Sequence, residues 1–285
     1  METLPHVLWI GGAPGSGKTT IATRLARRHG LRWYNADAHT WEHRDRALRE
    51  GHAAAHRWEA MTPHERWVET TPTEMLDLSL GLERWPMVAD DLRGLPSSPL
   101  IVAEGSTILP ELITAGVADR SRSVWLVPTP ELQRARLDGR HDVPAGDVEA
   151  IRARQNMKEL WLLVGAEIER RVRDSNVTVL DVGGSETGDE MLGAVERLFA
   201  DAIAAGPRAE TPAERRALLR YANEAIVSQC LQYLARPWST GDAESLIRAF
   251  LCECGDPECT AGVEIAVAAF RRTAEPVVAP AHSAA

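Results

Sequence analysis

Eight residues near the amino end, Gly12 to Thr19, combine three glycines with a lysine and a threonine in the order G-A-P-G-S-G-K-T. Glycine permits backbone angles that close main-chain N–H groups around an anion, and the helix after such a loop offers its positive amino end. The spacing fits the phosphate-binding pattern G-x4-G-K-[ST] at every fixed position. The residues predicted to hold a nucleotide are Gly12, Ala13, Pro14, Gly15, Ser16, Gly17, Lys18, Thr19 and Thr20.

Two side chains of this loop have separate predicted functions. Lys18 would neutralise charge on the β- and γ-phosphates, and the hydroxyl of Thr19 would be a ligand of Mg²⁺. Lys18 is one of only two lysines among the 32 basic residues. The chain has no N-K-x-D sequence of the kind that reads guanine, so ATP is favoured over GTP.

Two carboxylates follow apolar, strand-like segments. Asp37 is predicted to accept the proton of an attacking hydroxyl or to orient that hydroxyl, and its alternative is a cap for the helix that follows. Glu104 ends the segment Ile-Val-Ala-Glu and is predicted to hold Mg²⁺ or a water bound to it. The alternative for Glu104 is a hydrogen-bonded carboxylate that closes the strand end.

Arginines and one histidine extend this candidate site. The arginines on either side of a Pro/Gly loop are predicted to form a lid over the transferring phosphate. They are Arg134, Arg136, Arg140, Arg152 and Arg154. Arg136 and Arg140 are the predicted catalytic members, with Arg152 next. His39, Arg44 and Arg46 are weaker candidates for binding a polar or anionic acceptor, and a solvated helix face is their alternative.

Three of the four cysteines, Cys252, Cys254 and Cys259, lie within eight positions near the carboxyl end. In a chain without a recognisable secretion signal, this crowding favours metal binding over disulfides. Three thiolates and one imidazole complete a tetrahedral zinc site, with His282 as the predicted fourth ligand and Cys230 as its alternative. Reduced, buried thiols are the alternative to zinc.

The elements that must position these residues are short apolar segments separated by helix-like stretches. The segments are 7–10, 31–34, 100–103, 124–127 and 177–182. This alternation predicts an α/β fold with a five-stranded parallel sheet, helices on both faces, and ligands at the carboxyl ends of the strands. The interval 40–98 contains four tryptophans and is predicted to be a helical insertion with breaks near Pro63, Pro72 and Pro86.

Later segments divide the chain into two predicted units. Helices are predicted over 147–174, capped by Asp147, and over 186–204. Residues 205–212 contain Gly206, Pro207 and Pro212 and are predicted to link a domain of residues 1–205 to a smaller module of residues 206–285. That module comprises a helix over 215–234 and the cysteine segment.

Composition and charge restrict the class of partner. The formal net charge of −9 argues against broad nucleic-acid binding, which depends on a basic surface. The first apolar segment is only about five residues long and no apolar run of twenty residues occurs, so we expect a cytoplasmic chain without a membrane span. The expected partner is a small-molecule acceptor, and the cysteine module is the expected contact for any protein partner.

Together, the G-x-P-G-S-G-K-T-T loop, the aspartate after the second strand, the Glu-Gly pair after the third and the later arginines resemble the small-molecule and nucleoside-monophosphate kinases of the P-loop NTPase superfamily. The resemblance covers about residues 5–204. It implies a 2-3-1-4-5 strand order, ATP with Mg²⁺, and phosphoryl transfer to a small acceptor. Sugar- and shikimate-type kinases carry Asp-x-Asp after the second strand, whereas this chain has Asn35-Ala-Asp37 and so lacks the first carboxylate.

The cysteine segment has a resemblance of its own. The sequence C-x-C-G-D-P-x-C-T, followed by an apolar run and A-P-x-H, resembles a small module of actinobacterial proteins in which the histidine accompanies the cysteines. The main hypothesis for the whole chain is an ATP-dependent kinase. The alternatives are an NTP hydrolase that acts as a switch, and a nucleotide-sensing binding protein whose zinc module contacts another macromolecule.

Overall fold

The chain is built around a parallel sheet of five strands in the order 2-3-1-4-5, as predicted. The computed structural model describes residues 2–139, 147–184 and 187–282. The strands of this sheet are β1 (Val7–Gly12), β2 (Arg32–Asn35), β3 (Ile101–Gly105), β4 (Ser123–Pro128) and β5 (Val179–Val182). The predicted α/β class is therefore confirmed for the described part of the chain.

Helices cover both faces of this sheet. They are α1 (Lys18–His29), α2 (Thr40–Arg49), α3 (Ala53–Ala60), α4 (Pro72–Ser79), α5 (Trp85–Gly94), α6 (Glu111–Thr114), α7 (Pro130–Asp138), α8 (Val148–Arg173) and α9 (Gly188–Ala205). Successive residues of β1 point to opposite faces: Val7 and Trp9 pack in one apolar cluster, and Leu8 and Ile10 pack in the other. Because both faces are buried, polar groups that act on a ligand must lie at the strand ends.

The interval between β2 and β3 is helical, as predicted. A 3₁₀ turn (Ala36–His39) follows β2, and a π-helical turn (Glu65–Glu69) separates α3 from α4. Pro72 is the first residue of α4, and Pro86 lies in the first turn of α5. Proline is tolerated at these positions because the first N–H groups of a helix have no acceptor within it. Each proline therefore marks a helix start rather than a kink.

Side-chain caps set the beginnings of α8 and α9. Asp147 Oδ1 accepts a hydrogen bond from Ala150 N at 2.9 Å, which confirms the predicted cap of α8. Thr187 caps α9 together with Glu190 in a reciprocal capping box. The predicted first residue of this helix, Glu186, lies outside the described residues.

The carboxyl-terminal part consists of α10 (Pro212–Leu234), the antiparallel strands β6 (Ile247–Leu251) and β7 (Gly262–Ala266), and α11 (Val267–Arg272). The segment predicted as a linker is hydrogen-bonded to the sheet's connecting loops. Leu100 N donates to Pro207 O at 2.8 Å, and Ala209 N donates to Gly30 O at 2.7 Å. None of the described helices is both long and apolar enough to cross a membrane.

Candidate active site and metal centre

The glycine loop joins the end of β1 to the start of α1, and α1 begins at Lys18. Gly17 has φ +91°, a left-handed conformation that favours glycine. A Cβ atom on Gly12 would lie 2.4 Å from the Leu126 carbonyl oxygen, so no larger residue fits there. The first turn of α1 therefore directs free backbone N–H groups towards the loop, as an anion site requires.

Thr19 and Glu104 lie together because β1 and β3 are neighbours in the sheet. Ile10 pairs with Glu104 in the register of these strands. Thr19 Oγ1 donates to the two carboxylate oxygens of Glu104 at 3.1 and 3.2 Å. Glu104 is fully buried, and this burial raises its pKa to about 7, with Lys18 opposing the rise and Asp37 adding to it. Lys18, Asp37 and Glu104 are thus close enough to interact electrostatically.

Asp37 lies in the 3₁₀ turn after β2, and its side chain is about half exposed. Asn35 Oδ1 accepts a hydrogen bond from Asp37 N at 2.8 Å, so Asn35 caps this turn. The residue that precedes α2 as its cap is His39, and the Asp37 side chain does not cap that helix. The carboxylate of Asp37 instead lies 3.7 Å from Arg84 Nη2.

The predicted lid arginines are divided between α7 and α8. Arg136 Nη1 donates to the carbonyl oxygen of Gly15 in the glycine loop at 2.9 Å. Arg154 Nη2 donates to Asp138 O at 2.6 Å, which ties the two helices together. Arg134 and Arg152 are exposed to solvent. Arg140 lies outside the described residues.

A cavity of about 410 Å³ borders the glycine loop. Its lining residues are Gly15, Ser16, Gly17, Thr20, Ile21, Arg136, Val182, Thr187, Gly188 and Met191. Backbone of the loop forms one wall, and the end of β5 with the start of α9 forms another. We call it the loop cavity.

A second cavity, of about 380 Å³, borders the loop and is lined in part by residues of the helical insertion. We call it the tryptophan cavity and define it by Pro14, Lys18, Thr19, Asp37, Thr40, Trp41, Arg44, Trp58, Trp67, Ser79, Gly81, Arg84, Ser106, Thr107, Leu160, Trp161 and Val164. Three of the four insertion tryptophans line it. Trp85 packs instead at the edge of the apolar core, and Trp161 of α8 joins the lining.

The three weaker candidates after Asp37, which are His39, Arg44 and Arg46, lie in different surroundings in the structure. Arg44 is buried and lines the tryptophan cavity. Arg46 pairs with Asp91 at 2.8 Å, and the ring of His39 stacks on Tyr34 at 4.6 Å between ring centroids. Sequence reasoning missed Arg84, which is buried beside Asp37, because it precedes α5 by one residue and lies far from any motif.

The cysteine segment forms a second candidate site. One ligand atom from each of Cys252, Cys254, Cys259 and His282 lies within 4.8 Å of all the others. His282 Nδ1 lies 3.3 Å from Cys252 Sγ and 3.5 Å from Cys259 Sγ. A tetrahedral site with the usual zinc–ligand bond lengths has ligand atoms roughly 3.6 Å apart. Cys230 is not part of this group and packs in the apolar cluster of Phe250 and Phe270.

The segment that carries the three clustered cysteines contacts α1, the helix that begins at the glycine loop. Arg27, near the end of α1, donates through Nη2 to Cys252 O at 2.6 Å. Its neighbour Arg28 pairs with Glu258 at 2.8 Å. One end of α1 therefore meets the glycine loop and the other meets the cysteine segment.

Comparisons with known proteins give a weak structural likeness, on which no conclusion about this chain is based. No family model and no curated protein matches the chain. Among solved structures it is similar to shikimate kinase from Aquifex aeolicus VF5, with 16% sequence identity and a TM-score of 0.34. The match covers 70% of this chain and 99% of that one. A likeness at this level says nothing of the reaction or the substrate.

Proposed function

We propose that this chain is an ATP-dependent phosphotransferase that transfers the γ-phosphoryl group to a hydroxyl or phosphate group of a small acceptor. One observation carries the proposal. Lys18 begins α1, Asp37 lies in the turn after β2 and Glu104 lies near the end of β3, and the three interact at one edge of the sheet, beside a cavity of about 380 Å³. In phosphoryl transfer the protein mainly positions the reactants and stabilises charge, and such a cluster is suited to both tasks.

The loop has the chemistry to hold ATP with Mg²⁺. Ser16 Oγ is buried and has no hydrogen-bond partner among the described residues, as expected for a group that faces a ligand. The loop backbone and Lys18 would bind the phosphates, while Thr19 and Glu104 would hold the metal. Bound Mg²⁺ neutralises charge on the phosphates. The loop cavity has room for the nucleoside beside Thr20 and Val182.

Asp37 is the proposed catalytic base. Its half-exposed carboxylate lines the tryptophan cavity, where an acceptor hydroxyl would be bound. Asp37 would take the proton of that hydroxyl as the bond to the phosphoryl group forms and the bond to ADP breaks. Arg136, and Arg140 beyond the described residues, would stabilise charge on the transferring group.

A screen of small acceptors with γ-labelled ATP tests this proposal, with Asp37→Ala as the diagnostic variant. We expect the variant to bind ATP·Mg²⁺ within about twofold of the wild type in calorimetry, and to lose about 100-fold or more of its transfer rate. Asp77→Ala, an exposed aspartate on α4, is the matched control and should keep the rate.

The same screen separates the alternatives. A switch hydrolase would release phosphate at a rate that no acceptor changes, and a sensor would bind ATP without turnover. Full transfer activity in Asp37→Ala would contradict the proposed role of this residue. Absence of ATP binding in the wild type would overturn the phosphotransferase proposal.

We also propose that Cys252, Cys254, Cys259 and His282 hold a structural Zn²⁺. The donor set supports this, because three thiolates and one imidazole saturate a tetrahedral ion and leave no position for a substrate. Three of the four residues are buried, which suits a closed site. Zinc would join the loop between β6 and β7 to the last residues that the structure describes.

A further inference from the structure

Four polar groups on residues that line the tryptophan cavity find no hydrogen-bond partner within the described parts of the chain. They are Arg44 Nη1, Arg84 Nε, Trp58 Nε1 and Thr107 Oγ1. These residues are only 4%, 5%, 3% and 0% exposed, respectively. Three of the groups can only donate a hydrogen bond, and the threonine hydroxyl can donate as well. Since buried donors are costly when unpaired, the cavity is complementary to a ligand rich in acceptor atoms.

The charge of Arg44 is not paired within the described structure. Its Nη2 donates to two backbone carbonyls, Ser79 O at 3.0 Å and Leu78 O at 3.4 Å. Burial lowers the pKa of Arg44 to about 10, although Glu59 opposes the shift. Glu59 itself lies 3.6 Å from Arg236 and accepts a hydrogen bond from Trp238. The guanidinium of Arg44 also lies 5.2 Å from the centroid of the Trp58 ring, and its Nη1 is the group left to pair with a carboxylate or phosphate.

Arg84 contributes a second positive charge beside the site of transfer. Its Nη1 donates to Ala36 O at 3.2 Å, and its Nη2 lies 3.7 Å from Asp37 Oδ1. Arg84 and Arg44 both line the tryptophan cavity, and repulsion from Arg84 helps to lower the pKa of Arg44. An anion between them would offset this repulsion.

Part of the lining is apolar and the space is small. Its apolar members include Trp67, Leu160, Trp161 and Val164. A volume of about 380 Å³ is near the lower end of the range for small-molecule sites, which is roughly 300 to 1,000 Å³. The bound molecule must therefore be compact and have an apolar body.

We infer that the acceptor is a compact hydroxyl compound with an apolar body and an anionic group, carboxylate or phosphate, and that Arg44 binds this anionic group. The inference rests on the proposed function for the transfer step, whereas the binding itself depends only on the cavity. The anionic group pairs with Arg44 and the unpartnered donors near it. The hydroxyl then lies towards Asp37, which lines the same cavity.

Fluorescence of the cavity tryptophans measures this binding directly in the full chain. The probes are 4-(hydroxymethyl)benzoate, the matching phosphonate and the neutral 4-(hydroxymethyl)benzamide, titrated with ADP·Mg²⁺ present to fill the glycine loop. We expect at least one anion to bind tenfold or more tightly than the amide. The tighter of the two anions identifies the group as carboxylate or phosphate.

Arg44→Met keeps an apolar stem and removes the charge, so we expect it to reduce this preference to less than threefold. Arg49→Met, an exposed arginine on the same helix, is the control and should keep the preference. If Arg44→Met does not fold, Arg44→Gln takes its place for the role of Arg44, and the comparison of anion and amide in the wild type still tests whether the cavity prefers an anion. Equal binding of the three probes, or no saturation by either anion up to 10 mM, overturns the inference.

A Lys18→Met chain separates this inference from the proposed function. In that chain, without nucleotide, an anion preference would show that the cavity binds anions even if ATP binding and transfer fail in the wild type. Conversely, transfer to neutral alcohols without any preference for anions would leave the phosphotransferase proposal in place and contradict the inference.

Discussion

Asn35 stands where the Asp-x-Asp pattern of sugar- and shikimate-type kinases has its first carboxylate. Its side-chain oxygen accepts a hydrogen bond from Asp37 N at 2.8 Å, and Asn35 pairs in register with the buried Glu104. A second carboxylate at this place would add like charge beside Glu104, whereas an amide caps the turn without charge. Asn35 thus keeps Asp37 in position without adding a carboxylate to the cluster.

Among single residues, Lys18 offers the sharpest test of ATP binding, because the chain has only one other lysine, Lys158. Lys18→Met should weaken the binding of ATP·Mg²⁺ by about 100-fold, or about 3 kcal/mol, since it removes the charge that we propose faces the phosphates. Calorimetry with the wild type, with Lys18→Met and with Lys158→Met as a control measures the effect. Lys158 pairs with Asp138, so Lys158→Met should leave the affinity unchanged. Equal affinity in all three chains would contradict the role of Lys18.

Among the elements, α2, α5 and β2 are joined by one carboxylate, Asp91. Its oxygens accept hydrogen bonds from Tyr34 Oη at 2.6 Å, from Arg46 Nη2 at 2.8 Å, and lie 2.7 Å from His43 Nε2. Burial raises the pKa of Asp91, but the hydrogen bonds with His43, Tyr34 and Arg46 outweigh it and bring the value to about 2. Asp91 therefore stabilises the wall of the tryptophan cavity in its charged form.

Asp91→Asn should lower the free energy of unfolding at pH 7 by about 2 to 4 kcal/mol, because it removes a charged acceptor with three partners. The pKa is lower in the folded state than the ordinary 3.8, so the contribution is complete above about pH 4 and is lost as the pH falls from there to about 2. Urea unfolding at a series of pH values measures both effects. The wild type should converge on the variant in acid, and parallel curves would contradict this assignment.

Helix α1 connects the two candidate sites, because Arg27 at its far end donates to Cys252 O. The predicted zinc would hold the loop that makes this contact. We expect about one zinc ion per purified wild-type chain, no zinc in Cys254→Ser, and a Tm lower by about 5 °C or more in that variant. Cys230→Ser is the control and should keep its zinc, since Cys230 packs away from the cluster. A wild-type chain free of metal would end the zinc proposal.

For the whole molecule, the division into a unit of 1–205 and a smaller unit of 206–285 remains our proposal, and the two parts share contacts. Arg215 Nη1 of α10 donates to Arg27 O at 2.9 Å. Arg236 pairs with Asp45 of α2 at 2.7 Å, and Trp238 lies 5.7 Å from Trp41 between ring centroids. The carboxyl-terminal part thereby supports the helix that carries Arg44.

Removal of residues 206–285 should lower the Tm by about 5 °C or more, because the contacts of α10 with α1 and α2 are lost and apolar surface is exposed. Circular dichroism during heating compares the truncated and full chains. An Arg236→Met chain serves as a milder variant and should show a smaller fall in Tm. A truncated chain that melts with the full chain would show that the first unit is stable by itself.

Local patterns were sufficient for much of this architecture. The spacing of the glycines predicted the loop, and the alternation of apolar segments predicted the parallel sheet, whose strand order the family resemblance implied. The prolines predicted breaks in the helical insertion, and the structure begins helices at Pro72 and at Trp85, next to Pro86. The crowding of cysteines predicted the cluster, but only the fold brings His282 rather than Cys230 to it. These signals are readable because each depends on neighbours in the chain.

The sequence by itself determined which residues bend the chain, which cap a helix and which can carry phosphate or metal chemistry. Only the tertiary structure decided that Arg84 lies beside Asp37, that Arg44 is buried without a paired charge, and that α1 links the glycine loop to the cysteines. The physical reason is that a charge acquires its function from burial and from partners far away in the chain. The spacing of residues along the chain shows neither the burial of a charge nor its distant partners.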